Sequence, residues 1–262
     1  MELRGLPLVE IRRRFLHDSG RLNTALVKAL REDPRAGARE LVRRLENRRL
    51  RAAAERRRLR RLFAMERDLY RQGREHIAGV DEVGVGPLAG PVVAASVVLP
   101  LGVRLPGLND SKRLSRAVRE RLAREIRARA CAVSVGWASP EEIDCLNIYH
   151  AALLAMRRAV EGLARDPDLL LVDARRVPGV ALPQRAIVEG DAQVGCIAAA
   201  SVVAKVYRDG LMRELDLTYP GYGFATNAGY GTAEHLRALK RRGPTPLHRR
   251  SFAPVGGGRT GH

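Results

Sequence analysis

Cysteine is scarce in this chain, which has three in 262 residues, at positions 131, 145 and 196. Their wide spacing gives neither a disulfide framework nor the paired pattern of zinc ligands, so we expect a protein of a reducing cytosol. No stretch approaches the ~18 uninterrupted apolar residues that a membrane span requires. The first residues include acids and lack an apolar core with a cleavage site, which argues against a secretory signal. We therefore expect a cytoplasmic protein that does not contact membranes.

Lysine is also rare, since only four of the 47 basic residues are lysine and the rest are arginine. A codon bias explains why arginine replaces lysine. It does not explain why bases outnumber the 29 acids and give a net charge of +18. A positive excess of this size is typical of proteins that bind a polyanion, and nucleic acid is the commonest.

The basic residues are densest in the first 76 residues, which contain 22 bases and 11 acids. The pattern there predicts one or two short helices within 7–31 and one long helix over 34–72. Asp33 is the predicted N-cap of the long helix, with Pro34 in its first turn. Two interpretations of this leader stay open: it is either a solvated helix that decorates the protein or a helix that lies along a phosphate backbone.

From residue 77 onward the pattern changes to strands interleaved with helices. Short β-branched or apolar runs predict strands over 77–81, 91–100, 131–139, 168–173 and 185–191. Longer segments predict helices over about 115–129, 140–163, 195–217 and 232–242. Ser115 and Ser139 are the predicted N-caps of the first two of these helices. The pattern indicates an α/β domain.

Four acids stand at the ends of predicted strands or just past them: Asp81, Glu82, Asp173 and Asp191. An acid that closes an apolar run such as LLLVD is unusual, because a buried carboxylate is costly unless something compensates its charge. Acids gathered at one sheet edge would repel each other and have raised pKa values without divalent cations. Oxygen ligands without His or Cys favour Mg²⁺ or Mn²⁺, and paired ions of this kind usually serve displacement at phosphorus.

A glycine-rich segment, VDEVGVGPLAGPV, directly follows the first predicted strand. Gly84 and Gly86 allow positive φ and leave backbone amides free to approach a ligand. The segment is not a dinucleotide fingerprint, because a strand rather than a helix follows it.

Taken together, these motifs closely resemble bacterial ribonuclease HII (type 2 ribonuclease H) over residues 77–255. The matching blocks are IAGVDEVGVGPLAGPVVAASVVLP, GLNDSKRLS, EEIDCLNIYHAALLAM, LLLVDARRVP, VEGDAQVGCIAAASVVAKVYRD, YPGYGFATNAGYGT and GPTPLHRRSFAPV. The basic leader is similar to the N-terminal extension of one branch of that family. The resemblance implies a helical extension over 1–75, a ribonuclease H-like domain over 76–255 and a flexible tail over 256–262.

The resemblance implies a five-stranded mixed sheet flanked by helices. It also implies an endonuclease that cuts RNA in RNA–DNA hybrids and nicks 5′ of single ribonucleotides in duplex DNA, leaving 3′-hydroxyl and 5′-phosphate ends. The family's catalytic acids and metal ligands match Asp81, Glu82, Asp173 and Asp191. Asp81 would bridge two Mg²⁺ or Mn²⁺ ions, Asp173 and Asp191 would each complete one ion's shell, and Glu82 would hold an ion or its water. We expect a monomer whose partners are hybrid and ribonucleotide-containing duplexes, and the resemblance leaves open a partner in the replication machinery.

The resemblance also implies substrate contacts, carried by Gly84, Val85, Gly86, Asn109, Ser111, Lys112 and Tyr230. Val85 departs from the family, which has arginine there, and its β-branch resists the positive φ that such turns often need. Ala228 stands where a basic residue is common, and His248 is interpreted as a structural histidine. These departures leave open a second hypothesis, a hybrid- or duplex-binding protein with weakened or altered nuclease activity. Retention of all four acids favours the enzyme.

Overall fold

The structure is a computed structural model that describes residues 7–12 and 24–256. The chain divides into two compact units, Met1–Arg58 and Leu59–His262. Apart from residue 256, the tail that we expected to be flexible lies outside the described residues.

The first unit is helical and contains α1 (Leu8–Arg12), α2 (Thr24–Arg31) and most of α3 (Ala36–Leu62). Its small core consists of buried aliphatic side chains: Leu30, Ala38, Leu41, Val42 and Leu45. Helix α3 begins two residues later than predicted, and the Asp33 carboxylate accepts a hydrogen bond from the Arg35 amide just before it, at 3.0 Å.

The long helix predicted over 34–72 is in fact two helices, so this prediction was wrong in one respect. Helix α3 ends at Leu62, and α4 (Ala64–Arg71) follows after Phe63. Phe63 leaves helical geometry at φ −97° and ψ 20°, and its ring packs against the main core of the second unit. Helix α4 therefore belongs to the second unit, where Leu69 is buried.

The second unit is built on a five-stranded mixed sheet, as expected for a ribonuclease H-like fold. Its strands are β1 (Ile77–Val83), β2 (Val92–Val98), β3 (Ala132–Ala138), β4 (Leu169–Asp173) and β5 (Gln184–Ile187). The order across the sheet is β3-β2-β1-β4-β5. The β1, β2 and β3 pairings are antiparallel, whereas β4 runs parallel to β1 and β5 runs parallel to β4.

The described part of the second unit contains six further α-helices: α5 (Arg116–Arg129), α6 (Pro140–Glu161), α7 (Gly190–Gln193), α8 (Gly195–Thr218), α9 (Phe224–Asn227) and α10 (Ala233–Arg242). Both predicted serine N-caps are confirmed, and Ser139 forms a complete capping box with Glu142. Helix α6 is interrupted at Asn147, whose φ is 65°. Among the described residues, no helix has the length and apolar character needed to cross a membrane.

The sheet is covered on both faces, which explains why its strands are apolar rather than alternating. Helices α4, α5 and α8 pack on one face around a core that includes Leu69, Val97 and Ile197. Helix α6 packs on the other face. Helix α8 lies so close to β1 that a Cβ added to Gly79 would be 2.1 Å from the carbonyl carbon of Cys196. This contact fixes the position of α8 against the strand that carries the first two acids.

Candidate active site

Three of the four predicted acids meet at the carboxyl ends of two neighbouring parallel strands. The β1–β4 register pairs Val80 with Val172, so the next residues, Asp81 and Asp173, stand side by side. Asp81, Glu82 and Asp173 each place a carboxylate oxygen such that all three lie within 4.8 Å of one another. We call these three residues the acid cluster. The apolar strands thus bring the acids together as their sequence positions predicted.

Asp191 reaches this edge by a different route from the one predicted. Strand β5 ends at Ile187, and Asp191 lies in the first turn of α7 rather than at a strand end. It is buried, with its Oδ2 atom 3.8 Å from Lys112 Nζ. Asp191 is not a member of the 4.8 Å group, although its charge contributes to raising the pKa of Asp81.

The acid cluster is electrostatically strained in the absence of cations. Burial, followed by the charges of Glu82 and Asp173, raises the pKa of Asp81 well above its ordinary value. Burial also raises the pKa of Glu82, against the opposing charge of Arg175, whose Nη1 lies 3.5 Å from Glu82 Oε1. The pKa of Asp191 is raised as well, first by burial and then by the charge of Asp110. A divalent cation offsets this repulsion.

The cluster also has a free coordination atom. Glu82 Oε2 is buried and has no hydrogen-bond partner within the described part of the chain. A buried oxygen of this kind is unusual in a native structure and is explained if it coordinates an ion. The all-oxygen donor set fits Mg²⁺ or Mn²⁺.

One buried hydroxyl, which the sequence reasoning missed, interacts with Asp81. Ser201 on α8 hydrogen-bonds the Asp81 side chain, and its Oγ lies 2.9 Å from Ser111 Oγ. Both serines are buried. The signal for Ser201 was present in the sequence, since it is a polar residue within an alanine-rich helix that packs on the sheet.

Asp173 is oriented by a backbone group, because its Oδ1 atom accepts a hydrogen bond from the Gly190 amide at 2.7 Å. Gly190 directly precedes Asp191, so this bond ties the end of β4 to the start of α7. The two acids are thus held at the same edge by one short contact.

The turn that follows the first two acids requires glycine at its first position. Gly84 has φ +92°, and a Cβ there would lie 2.2 Å from Arg208 Nε. Val85 is not in the left-handed region, so its β-branch causes no backbone strain in this turn. Gly86 is exposed, and a Cβ there would meet only the Tyr230 ring, at 3.7 Å. Gly86 and the 43%-exposed Tyr230 are therefore close neighbours at the surface.

The predicted phosphate-contacting loop lies beside the acids, but its side chains point in different directions. Ser111 turns its hydroxyl inward to Ser201, and Asn109 accepts a hydrogen bond from the Asp110 amide at 3.0 Å. Lys112 is 84% exposed at the mouth of the site. Burial alone would lower the pKa of Lys112, but the surrounding carboxylates, Asp191 foremost, raise it. Lys112 is therefore a cation at the mouth of the site that can reach a bound phosphate.

The two remaining positions of interest lie behind the tyrosine. Ala228 has φ 49°, and its side chain packs against a small core that includes Met212 and Phe224. His248 is buried, with its Nε2 atom 3.0 Å from His235 Nε2. This environment agrees with the structural role expected for His248.

Comparison with known proteins identifies the family to which this arrangement belongs. The sequence profile of ribonuclease HII matches residues 78–255, and the profile of the ribonuclease HII N-terminal domain matches residues 9–70. The chain belongs to the ribonuclease HII family. Members of this family are metal-dependent endoribonucleases that act on RNA–DNA hybrids, and this chain is an endoribonuclease of the same type.

Individual ribonuclease HII relatives agree with this assignment. Ribonuclease HII from Myxococcus xanthus (strain DK1622) is 55% identical over 249 residues, which cover 95% of this chain and 85% of the relative. The crystal structure of ribonuclease H2 from Pyrococcus horikoshii OT3 has a TM-score of 0.61 at 26% identity and covers 70% of this chain and 96% of that one. Ribonuclease HII from Archaeoglobus fulgidus, solved in complex with PCNA, has a TM-score of 0.54 at 27% identity. The match covers 68% of this chain and 95% of that one.

Proposed function

We propose that the protein cuts the RNA strand of RNA–DNA hybrids and nicks duplex DNA 5′ of single embedded ribonucleotides, using two divalent ions. The observation that carries the proposal is the acid cluster, whose carboxylate oxygens lie within 4.8 Å beside an amide-rich glycine turn. We further propose that it acts as a monomer in the cytoplasm. A hybrid-binding protein without nuclease activity has no use for these buried acids, which cost folding free energy.

Each group near the acid cluster has a part in this reaction. Asp81, Glu82, Asp173 and Asp191 would hold Mg²⁺ or Mn²⁺, and such ions, when bound, activate water and stabilise the oxygen that leaves phosphorus. Ser201 orients Asp81, and the Gly190 amide orients Asp173, so both carboxylates are set before substrate arrives.

The substrate is placed by groups around the acids. Lys112 provides a mobile positive charge for a backbone phosphate. The exposed surface formed by Gly86 and Tyr230 accepts a sugar, with the tyrosine ring as a platform and the turn amides facing the 2′-hydroxyl. Water attacks the phosphorus on the 5′ side of the ribonucleotide, and the O3′ of the preceding nucleotide leaves, which gives 3′-hydroxyl and 5′-phosphate ends.

The test compares three duplexes of one sequence: an all-DNA duplex, the same duplex with one ribonucleotide, and an RNA–DNA hybrid. Each is incubated with the protein in Mg²⁺, in Mn²⁺ and in EDTA. We expect nicking of the two ribose-containing substrates with either ion, and none in EDTA or on all-DNA duplex. Binding without nicking would instead support the hybrid-binding alternative.

A matched pair of variants assigns the chemistry, since Asp168 and Asp173 stand at opposite ends of β4. Asp173→Asn should abolish nicking, because a neutral amide is a poor ligand for a hard dication. Asp168→Asn should keep it, because Asp168 accepts hydrogen bonds from the backbone amides of Glu75 and His76 and lies 4.0 Å from His76 Nδ1, far along the strand from the acids. Full activity in Asp173→Asn would refute the metal assignment.

A further inference from the structure

Two arginines are completely buried behind the glycine turn, and neither pairs with an acid. Arg208 on α8 and Arg249 after α10 both have 0% exposure. Neither forms an ion pair with a carboxylate in the described part of the chain. Burial lowers the pKa of Arg208 to about 10 and that of Arg249 to about 9. A buried cation without a counterion is costly, so other groups must compensate it.

Arg249 is compensated by backbone carbonyls of the connection between β1 and β2. Its Nη2 donates to the carbonyl of Gly84 at 2.6 Å, and its Nη1 donates to the carbonyl of Val85 at 3.0 Å. Its Nε donates to the carbonyl of Gly90 at 3.0 Å. The guanidinium also lies 5.1 Å from the centre of the Phe252 ring. Arg249 thus binds carbonyls at both ends of the connection between β1 and β2.

Arg208 completes the same arrangement from the other side. It donates to the carbonyls of Pro91 and Ala89, at 2.9 Å and 3.1 Å. Its Nη1 donates to the carbonyl of Ala228 at 2.9 Å, in the loop that carries Tyr230. The two guanidiniums together bind five carbonyls of the connection 84–91, and Arg208 ties this connection to the tyrosine loop.

The hydrogen bonds of Arg249 determine where two amides of the glycine turn point. In a planar trans peptide the carbonyl and the following N–H point in opposite directions. Because Arg249 binds the carbonyls of Gly84 and Val85 from inside, the amides of Val85 and Gly86 are directed away from the buried arginines. Neither amide has a hydrogen-bond partner among the residues that the structure describes. The turn therefore offers two adjacent donors whose direction is set by one side chain.

We infer that Arg249, braced by Arg208, is a positioning residue that aims the amides of Val85 and Gly86 and so determines how well the protein distinguishes ribose from deoxyribose. The inference rests on the proposed function and adds to it the source of the discrimination. Arg249 binds the backbone carbonyl of Val85, so this contact does not depend on the side chain at position 85.

The experiment measures the affinity for the duplex with one ribonucleotide and for the matched all-DNA duplex. Binding is measured in Ca²⁺, with gels to verify that the substrate stays intact, and the ratio of the two affinities is the readout. Arg249→Lys keeps the positive charge but loses the rigid fork that reaches three carbonyls. We expect the affinity ratio to fall about tenfold in this variant, which corresponds to the contribution of about one charge-assisted hydrogen bond. Its affinity for the all-DNA duplex should stay within about twofold of wild type.

Two controls make the outcome decisive. Asp168→Asn also removes a side chain that holds backbone groups, but at the opposite end of the strands, and should keep the wild-type ratio. Arg208→Lys should reduce the ratio less than Arg249→Lys, and it carries the test if Arg249→Lys does not fold. A wild-type ratio in the folded arginine variants, or an equal loss of affinity for both duplexes, would overturn the inference. If the wild-type protein itself neither prefers nor nicks the ribonucleotide duplex, the proposed function fails first.

Discussion

Replacing Asp81 with asparagine should make the metal-free protein more stable at neutral pH. Asp81 is 6% exposed, and carboxylate oxygens of Glu82 and Asp173 lie within 4.8 Å. Two unit charges at that distance repel by about 3.5 kcal/mol at an effective dielectric constant of about 20. Protonation limits this cost. If a carboxyl group has a pKa of about 3.9 in the unfolded chain, keeping it protonated at pH 7 lowers the free energy of unfolding by at most about 4 kcal/mol. We therefore expect Asp81→Asn to stabilise by roughly 2–4 kcal/mol, or on the order of 5–10 °C in Tm.

The pH dependence of this effect has a definite sign. The pKa of Asp81 is raised in the folded protein, so the native state binds more protons than the unfolded chain above about pH 4. Wild-type stability therefore falls as pH rises from the unfolded pKa toward the folded one. Asparagine does not titrate, so the advantage of the variant should be small near pH 4 and largest at neutral pH.

Thermal unfolding in EDTA at pH 4.5 and pH 7.5 measures the effect, followed by titration with Mg²⁺ and Mn²⁺. Bound ions should raise the Tm of the wild type more than that of the variant. Asp168→Asn is a control of opposite sign, because the amides of His76 and Glu75 lower the pKa of Asp168 and its carboxylate stabilises the fold above the unfolded pKa. If Asp81→Asn is no more stable than wild type at pH 7.5 in EDTA, the acids do not repel each other as argued.

Two further changes test the leader and the turn. Removal of residues 1–58 should leave a folded nuclease, and the logarithm of its affinity for duplex should fall less steeply with the logarithm of salt concentration. An unchanged slope would mean that the leader does not contact nucleic acid. Removal of residues 1–72 should in addition lower Tm, because it deletes Leu69 from the core. Val85→Arg should raise kcat/KM at a single ribonucleotide about tenfold, equivalent to about 1.4 kcal/mol, because it adds a charged donor. An unchanged or lower kcat/KM in that cleavage assay would mean that the turn is adapted to valine.

Local patterns in the sequence were enough to predict most of the second unit. Apolar runs bounded by turn residues predict the five strands, and the Ser139 capping box marks the start of α6. The acid cluster was predictable because parallel neighbouring strands end at the same edge, as Asp81 and Asp173 do.

The remaining features depend on contacts that no local pattern records. The break at Phe63 follows from its packing against the second unit, although the helical pattern continues through it. Asp191 was placed at a strand end because RAIVEGD reads as one extended run, whereas the chain turns into α7 after Ile187. The roles of Arg208 and Arg249 were not predictable, since their carbonyl partners are 117 to 165 positions away in the chain, apart from Ala228.

A single helix, α8, connects the place where the protein would cut with the place where it would recognise a sugar. Ser201 contacts Asp81 and Arg208 contacts the glycine turn, and both belong to α8, seven residues or about 10 Å apart along its axis. Helix α8 is itself fixed against β1 at Gly79. The distance between the glycine turn, which would recognise the ribose, and Asp81, which would hold the ions, is therefore set by the geometry of α8. Under the proposed function, each incision falls at the same bond relative to the ribose that is read.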